Sequence, residues 1–146
     1  MMVYSEVVGD LFKVPKDYVL AHCISRDCEM GAGIAKEFNR RYPRMKNCLL
    51  STRPSKTAVV FYHQRDKHEV LNMVTKERYF HKPTRNDFNK TVISLKNEVV
   101  ARGIKKLAIP LIGSGLDKLN WNVSSEFIKQ TFKGTNIEIL VVIKKT

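Results

Sequence analysis

The chain has 146 residues, which at about 100–200 residues per domain leaves room for one domain, 1–146. Apolar residues make up 43% and charged residues 27%, a globular profile that excludes disorder as the main state, and the longest apolar runs fall far short of the roughly 20 residues of a membrane span. The 26 Lys and Arg against 14 Asp and Glu leave a net charge of +12, which places polyanions among the expected partners and gives no reason to expect a membrane.

Met2–Val8 and Tyr18–Cys23, rich in Val, Tyr and Leu, read as strands. Ile34, Phe38 and Tyr42 fall at i, i+4 and i+8, the stripe of an amphipathic helix, and Pro43 breaks it before a second helical turn carrying Met45, Cys48 and Leu49. Thr57–Tyr62 and Glu69–Thr75 read as strands around a turn at Gln64–His68. Phe88, Val92, Leu95 and Val99 predict a helix with Thr84 as its N-cap, Asp87 three residues on and Gly103 past its end. Lys106–Pro110 is a short strand, a helix near Asn122–Phe132 turns Val123, Phe127 and Ile128 inward, and Asn136–Ile143 closes the chain as a buried strand. This alternation predicts an α/β domain: a mixed central sheet with helices on both faces. Ligands of such sheets bind where strands end and feed helices, here the loops after Cys23, Thr75 and Pro110.

Three cysteines, Cys23, Cys28 and Cys48, cannot all pair, and Glu6 and Asp10 stand where a secretory signal would be apolar. Reduced thiols in a cytoplasmic or nuclear compartment are therefore expected. His22, Cys23 and Cys28 match no zinc spacing, so neither a metal nor a cofactor is expected. The positive charge is uneven: from Phe38 through Arg65 there are seven basic residues and no acidic one. Such a run is either a solvated face or an attractor of nucleic acid, a phosphorylated ligand or an acidic surface.

Four segments can carry chemistry. Gly31-Ala32-Gly33-Ile34 follows a strand and opens a helix, the arrangement that brings backbone N–H groups up to a phosphate; it lacks the third glycine of a dinucleotide fingerprint, with Lys36 in that place. Gly113-Ser114-Gly115-Leu116-Asp117 repeats the pattern after a later strand, so two glycine loops can hold a diphosphate between them, with Asp117 as a turn residue or an acid/base group. Lys76, after Thr75 at the end of an apolar strand, is either solvated or a nucleophilic amine in a partly desolvated pocket. Asp10, directly after the first strand, is either a turn residue or an acceptor for an exocyclic amine or a ribose hydroxyl.

Taken in order, Gly9-Asp10-Leu11-Phe12, Ala21-His22-Cys23-Ile24-Ser25, Asp27-Cys28 with Met30-Gly31-Ala32-Gly33-Ile34-Ala35, Thr75-Lys76, His81-Lys82-Pro83-Thr84 and Pro110-Leu111-Ile112-Gly113-Ser114-Gly115-Leu116-Asp117 with Trp121 resemble the macrodomain family. Within that ADP-ribose-binding family the chain is most similar to the branch of the terminal ADP-ribose protein glycohydrolase. The resemblance implies that Asp10 and Leu11 contact adenine, that Gly31–Ile34 and Gly113–Leu116 hold the phosphates, and that Ser25 and Thr75 also face ADP-ribose. It implies further that Lys76 attacks the anomeric carbon of the distal ribose while Asp117 assists departure of the leaving group and resolution of the lysyl adduct.

Two departures stand out. The larger hydrolase branch of the family has an Asn-rich strand end where this chain has His22-Cys23-Ile24-Ser25, so its water-based mechanism does not transfer. The last strand reads Val141-Val142-Ile143 where relatives can place an aromatic against adenine. Three functions follow. The leading expectation is a monomeric hydrolase that removes mono-ADP-ribose from carboxylate side chains of proteins. The alternatives are a reader that binds ADP-ribose without turnover, and a hydrolase of ADP-ribosylated nucleic acid or of small esters such as O-acetyl-ADP-ribose or the 1″-phosphate. The presence of both Lys76 and Asp117 favours catalysis, because a reader needs neither.

Overall fold

The computed structural model describes residues 1–145. In chain order the elements are β1 (Val3–Gly9), a 3-10 turn (Leu11–Lys13), β2 (Val19–Ser25), α1 (Gly33–Arg41), α2 (Met45–Thr52), β3 (Val59–Tyr62), β4 (Val70–Lys76), α3 (Arg85–Ala101), β5 (Lys106–Ile109), α4 (Trp121–Phe132) and β6 (Glu138–Lys144). The strands form one mixed sheet in the order β1-β6-β5-β2-β4-β3. All neighbours run parallel except the β3–β4 hairpin. Among the described residues no helix is long and apolar enough to cross a membrane.

Strand periodicity of two builds a core on each face of the sheet. Val19 and Ala21 of β2, Leu71 and Met73 of β4, Leu107 and Ile109 of β5, and Ile139 and Val141 of β6 pack against α3 and α4. The intervening Leu20, Ile24, Val70, Val74, Ala108 and Val142 face α1, α2 and the 3-10 turn. The stripe Phe88, Val92, Leu95 and Val99 of α3 is fully buried, as its spacing predicts; each side chain contributes about 1.5–3 kcal/mol by leaving water. Thr84 caps that helix, its Oγ1 accepting from the Asp87 N–H at 3.0 Å.

Two expectations about facing need correction. Val123 is 51% exposed, not inward. Asn120 accepts from the Val123 N–H and starts α4 at Trp121, and its buried row is then Ser124, Ile128 and Phe132, with Ser125 beside it. In α2, Met45 and Leu49 are buried, whereas Cys48, one residue off that i, i+4 row, is exposed. The sheet's outer strand β1 is mostly exposed along its length, pairing only with β6.

Candidate active site

The C-terminal ends of β5, β2 and β4, adjacent in the sheet, open into a cleft of about 790 Å³. Its walls bring together Ser25, Gly31–Ile34, Lys76 and Gly113–Asp117 from the three loops that the sequence singled out.

The wall after β2 is shaped by its backbone. Cys28 (φ 56°), Met30 (φ 51°) and Gly33 (φ 59°) all occupy the left-handed region, so the chain doubles back before α1 begins. Two buried side chains, Cys28 and Met30, pin that path to the core. Asp27 braces it: the carboxylate accepts from the Ser25 hydroxyl, from the Glu29 N–H at 3.3 Å and from the Tyr79 N–H at 3.0 Å in the neighbouring loop. Partial burial works against ionisation of Asp27, yet those hydrogen bonds and the nearby Arg78 charge together hold its carboxyl below the usual range. Helix α1 starts at Gly33 with no side-chain cap on its N-cap Ala32. Its first-turn N–H groups, carrying the positive end of the helix dipole, therefore face the cleft without side-chain partners.

The wall after β5 turns on Gly113. Its φ is 75°, and a Cβ there would lie 2.8 Å from Phe88 Cε1, so no other residue fits without displacing the core. Leu119 donates its N–H to the Gly113 carbonyl at 2.7 Å and closes the loop. Ser114 leaves its Oγ buried with no partner among the described residues, a polar atom poised for a ligand. A Cβ on Gly33 would meet Leu116 Cδ1 at 3.3 Å, whereas one on Gly115 would meet nothing within 4 Å. Gly33 thus has little room for a side chain on the side of Leu116, whereas space is open beside Gly115.

At the end of β4, Lys76 Nζ donates to Asp117 Oδ1 at 2.7 Å, each side chain only 14% exposed. Strand β4 is buried from Val70 through Thr75 and delivers Lys76 at its last position, beside Ser25 in the β2–β4 register. Cys23 also lines the cleft. Burial pushes its thiol well above the ordinary value and Asp117 adds to this, while Lys76 and a Gly113 backbone hydrogen bond oppose it. The thiol is thereby kept protonated and poor as a nucleophile. Beyond Lys76 the loop carries Tyr79 and Phe80, 58% and 67% exposed, in an edge-to-face pair at the mouth. Lys82 ties that loop to the opposite wall by donating to the Leu116 carbonyl.

Three site residues expected from the sequence lie off the cleft walls. Asp10 caps the 3-10 turn, its Oδ1 accepting from the Phe12 N–H at 2.9 Å. Leu11 is buried among the residues under α1. Thr75 is buried next to Lys76 in β4, its Oγ1 without a partner among the described residues. Sequence reasoning singled out Asp27 only as part of a segment that resembles the family, and missed its role as the brace between two loops and Tyr79 and Phe80 as wall residues. An Asx-type signal was available for Asp27, which stands two residues before Glu29; nothing in the sequence placed the aromatic pair.

No family model matches the chain. The ADP-ribose glycohydrolase OARD1 of Homo sapiens is 39% identical over 135 residues, covering 92% of this chain and 88% of that protein. The macrodomain of Thermus aquaticus DarG superposes with a TM-score of 0.88 at 18% identity, over 97% of this chain and 99% of that one. Thermosipho africanus DarTG, solved in complex with ADP-ribose, superposes with a TM-score of 0.85 at 17% identity over 97% of this chain and 41% of that one. These two likenesses establish the fold, and the first relationship establishes the lineage: the chain belongs to the macrodomain family, with the ADP-ribose glycohydrolases.

Proposed function

We propose that this chain is an ADP-ribosyl hydrolase that releases ADP-ribose from carboxylate-linked mono-ADP-ribosylated proteins, with Lys76 as nucleophile and Asp117 as acid/base. The observation that carries the reading is the Lys76–Asp117 contact of 2.7 Å at the floor of a cleft bounded by two glycine loops. A module that only held ADP-ribose would have no use for an amine and a carboxylate in hydrogen-bond contact beside the phosphate loops.

The diphosphate lies between Gly31–Ile34 and Gly113–Leu116, against the first-turn N–H groups of α1, and the distal ribose lies over Lys76. Asp117 accepts a proton from the Lys76 ammonium and leaves a neutral amine. The amine nitrogen bonds to the anomeric carbon as the carbon–oxygen bond of the ester breaks. The departing carboxylate keeps the electron pair and takes the proton back from Asp117. Asp117, ionised again, takes a proton from the water as it adds to the same carbon and passes it to the amine as the carbon–nitrogen bond breaks, so that Lys76 leaves as the ammonium and ADP-ribose as the hemiacetal; this resolving step depends on the carboxylate more than departure of the ready ester leaving group does. One water is consumed, and the enzyme returns to its starting state. A glycosyl ester is a reactive glycosyl donor with a ready leaving group, so positioning and one proton relay suffice.

The test is release of ADP-ribose from glutamate-linked mono-ADP-ribosylated protein. Lys76→Ala and Asp117→Ala are each expected to lose turnover by about a hundredfold or more while calorimetry shows ADP-ribose still bound. Turnover by Lys76→Ala at the wild-type rate would refute the lysine's role. An inactive wild type that still binds ADP-ribose would leave a reader.

A further inference from the structure

The positive charge is far larger than the cleft uses. The acid-free run between Phe38 and Arg65 does not form one face in the fold: Lys56 pairs with Asp87 at 3.0 Å, and Lys46 donates to the Glu29 carbonyl beside the cleft. Instead, three segments distant in sequence meet at the C-terminal end of α1. Lys67, in the β3–β4 turn, donates to the Arg41 carbonyl at 2.7 Å and lies over the Tyr42 ring. Lys16, before β2, donates to the Asp66 carbonyl at 2.7 Å. The Tyr42 hydroxyl donates to the His68 carbonyl at 2.9 Å, and His68 Nε2 donates to the Val14 carbonyl at 2.9 Å, which locks the three segments together. Arg40 and Arg44 are exposed here, and Arg44 is close enough to Tyr62 to act on its hydroxyl electrostatically.

This junction differs from a run of solvated charges in three ways. Its two lysine ammonium groups are held by backbone carbonyls, so they are fixed in place without being neutralised. The Arg41 guanidinium is held 4.4 Å over the Phe12 ring, so its planar fork is oriented in advance. The local carboxylates are mostly engaged: Glu37 by Arg40 and Arg41, Asp10 by the Phe12 N–H, Asp17, beside Lys16, by Lys106 at 2.9 Å, and Glu69, beside His68, by His63 at 3.2 Å, while Asp66 stands in the turn. Among the described residues, none of the exposed large apolar side chains lies on this junction, so nothing there would insert into a bilayer. Fixed arginine forks, lysines and aromatic rings suit phosphates spaced along a chain.

We infer that this junction docks the phosphodiester backbone of nucleic acid without regard to base sequence. It lies at the opposite end of α1 from the cleft, about 13 Å along the nine-residue helix. The inference does not depend on the hydrolysis proposed above.

Anisotropy of labelled oligonucleotides of about 20 nucleotides, single- and double-stranded and of scrambled sequence, tests it across a salt series. Wild type is expected to bind with an affinity that falls log-linearly with salt. Arg40→Glu/Arg44→Glu/Lys67→Glu should weaken binding at least about tenfold near 100 mM salt and flatten the salt slope by about 0.7–0.9 for each lost contact. Lys90→Glu/Lys133→Glu/Lys145→Glu makes the same change in net charge at exposed positions elsewhere, and should lose less than about threefold with its slope intact. Circular dichroism checks folding, and Arg44→Gln/Lys67→Gln gives the same direction of effect should the reversed triple unfold. Equal losses in the two triples would overturn the inference. So would an absence of wild-type binding at low salt, or competition by polyglutamate or phosphatidylserine vesicles as effective, charge for charge, as competition by the oligonucleotide.

Discussion

Gly113→Ala probes the wall after β5 at its tightest point. The residue has φ 75°, and the added methyl would approach Phe88 Cε1 at 2.8 Å, Phe88 Cδ1 at 3.1 Å and Leu119 Cδ1 at 3.2 Å. The left-handed conformation costs an alanine about 1–3 kcal/mol, and forcing a methyl against a fully buried phenyl ring costs about 1–3 kcal/mol more. The sum, about 2–6 kcal/mol, corresponds to a fall in Tm on the order of 5–20 °C for a chain of this size. Gly115→Ala is the control, because its Cβ meets nothing within 4 Å and its stability should stay within about 0.5 kcal/mol of wild type. The assay is urea unfolding, with the m-value checked for constancy. Phe88→Leu made in the Gly113→Ala background should be less destabilising than Phe88→Leu alone, since it clears the atoms the methyl strikes. A Gly113→Ala protein as stable as Gly115→Ala, or strictly additive effects with Phe88→Leu, would refute the reasoning.

Gly33→Val, which places a branched side chain at φ 59° and against Leu116, should abolish ADP-ribose binding in calorimetry. Asp27→Ala removes the acceptor shared by Ser25, Glu29 and Tyr79; it should weaken ADP-ribose binding about tenfold and speed amide exchange in both braced loops. Burial, opposed by the hydrogen bond to Asn72, holds His22 down to about 4 in the folded protein. The unfolded chain takes up that proton from about 6.5 downward, so stability is full above about pH 6.5 and is lost as pH falls toward 4, by about 2–3 kcal/mol near pH 4.5. In His22→Phe the gap between the Tm at neutral pH and near pH 4.5 should narrow; an unchanged gap would exclude His22 as its source.

The sequence made the architecture legible wherever periodicity was strong. Phe88, Val92, Leu95 and Val99 announced α3, and the alternation of strands with helices predicted a sheet covered on both faces, which matches the near-continuous burial of β2, β4 and β5. Both glycine loops were legible because strand ends supply cleft residues by rule, whereas the pairing of Lys76 with Asp117 was implied only by the family resemblance; the structure places the two in contact. What escaped prediction depends on contacts between segments far apart in sequence. Asp27 reaches Tyr79 across 52 positions, and Lys16, Arg41 and Lys67 meet at the end of α1 through backbone carbonyls that no residue pattern marks. Val123 was misplaced because a single cap, Asn120, sets the phase of α4, and a small shift in where a helix starts rotates which residues face the core.

The central claim is that Lys76 becomes covalently joined to the distal ribose during turnover, and trapping tests it most directly. Wild type and Asp117→Ala are mixed with glutamate-linked mono-ADP-ribosylated protein and reduced with borohydride, which captures the open-chain iminium formed when the lysyl glycosylamine breaks its bond to the ring oxygen; the protein is then weighed intact and digested to locate the modification. A mass gain of one reduced ADP-ribosyl group on the peptide containing Lys76, larger in Asp117→Ala and absent in Lys76→Ala, is the predicted result. Full turnover by Lys76→Ala, with no adduct on the wild-type protein at any time point, would contradict it.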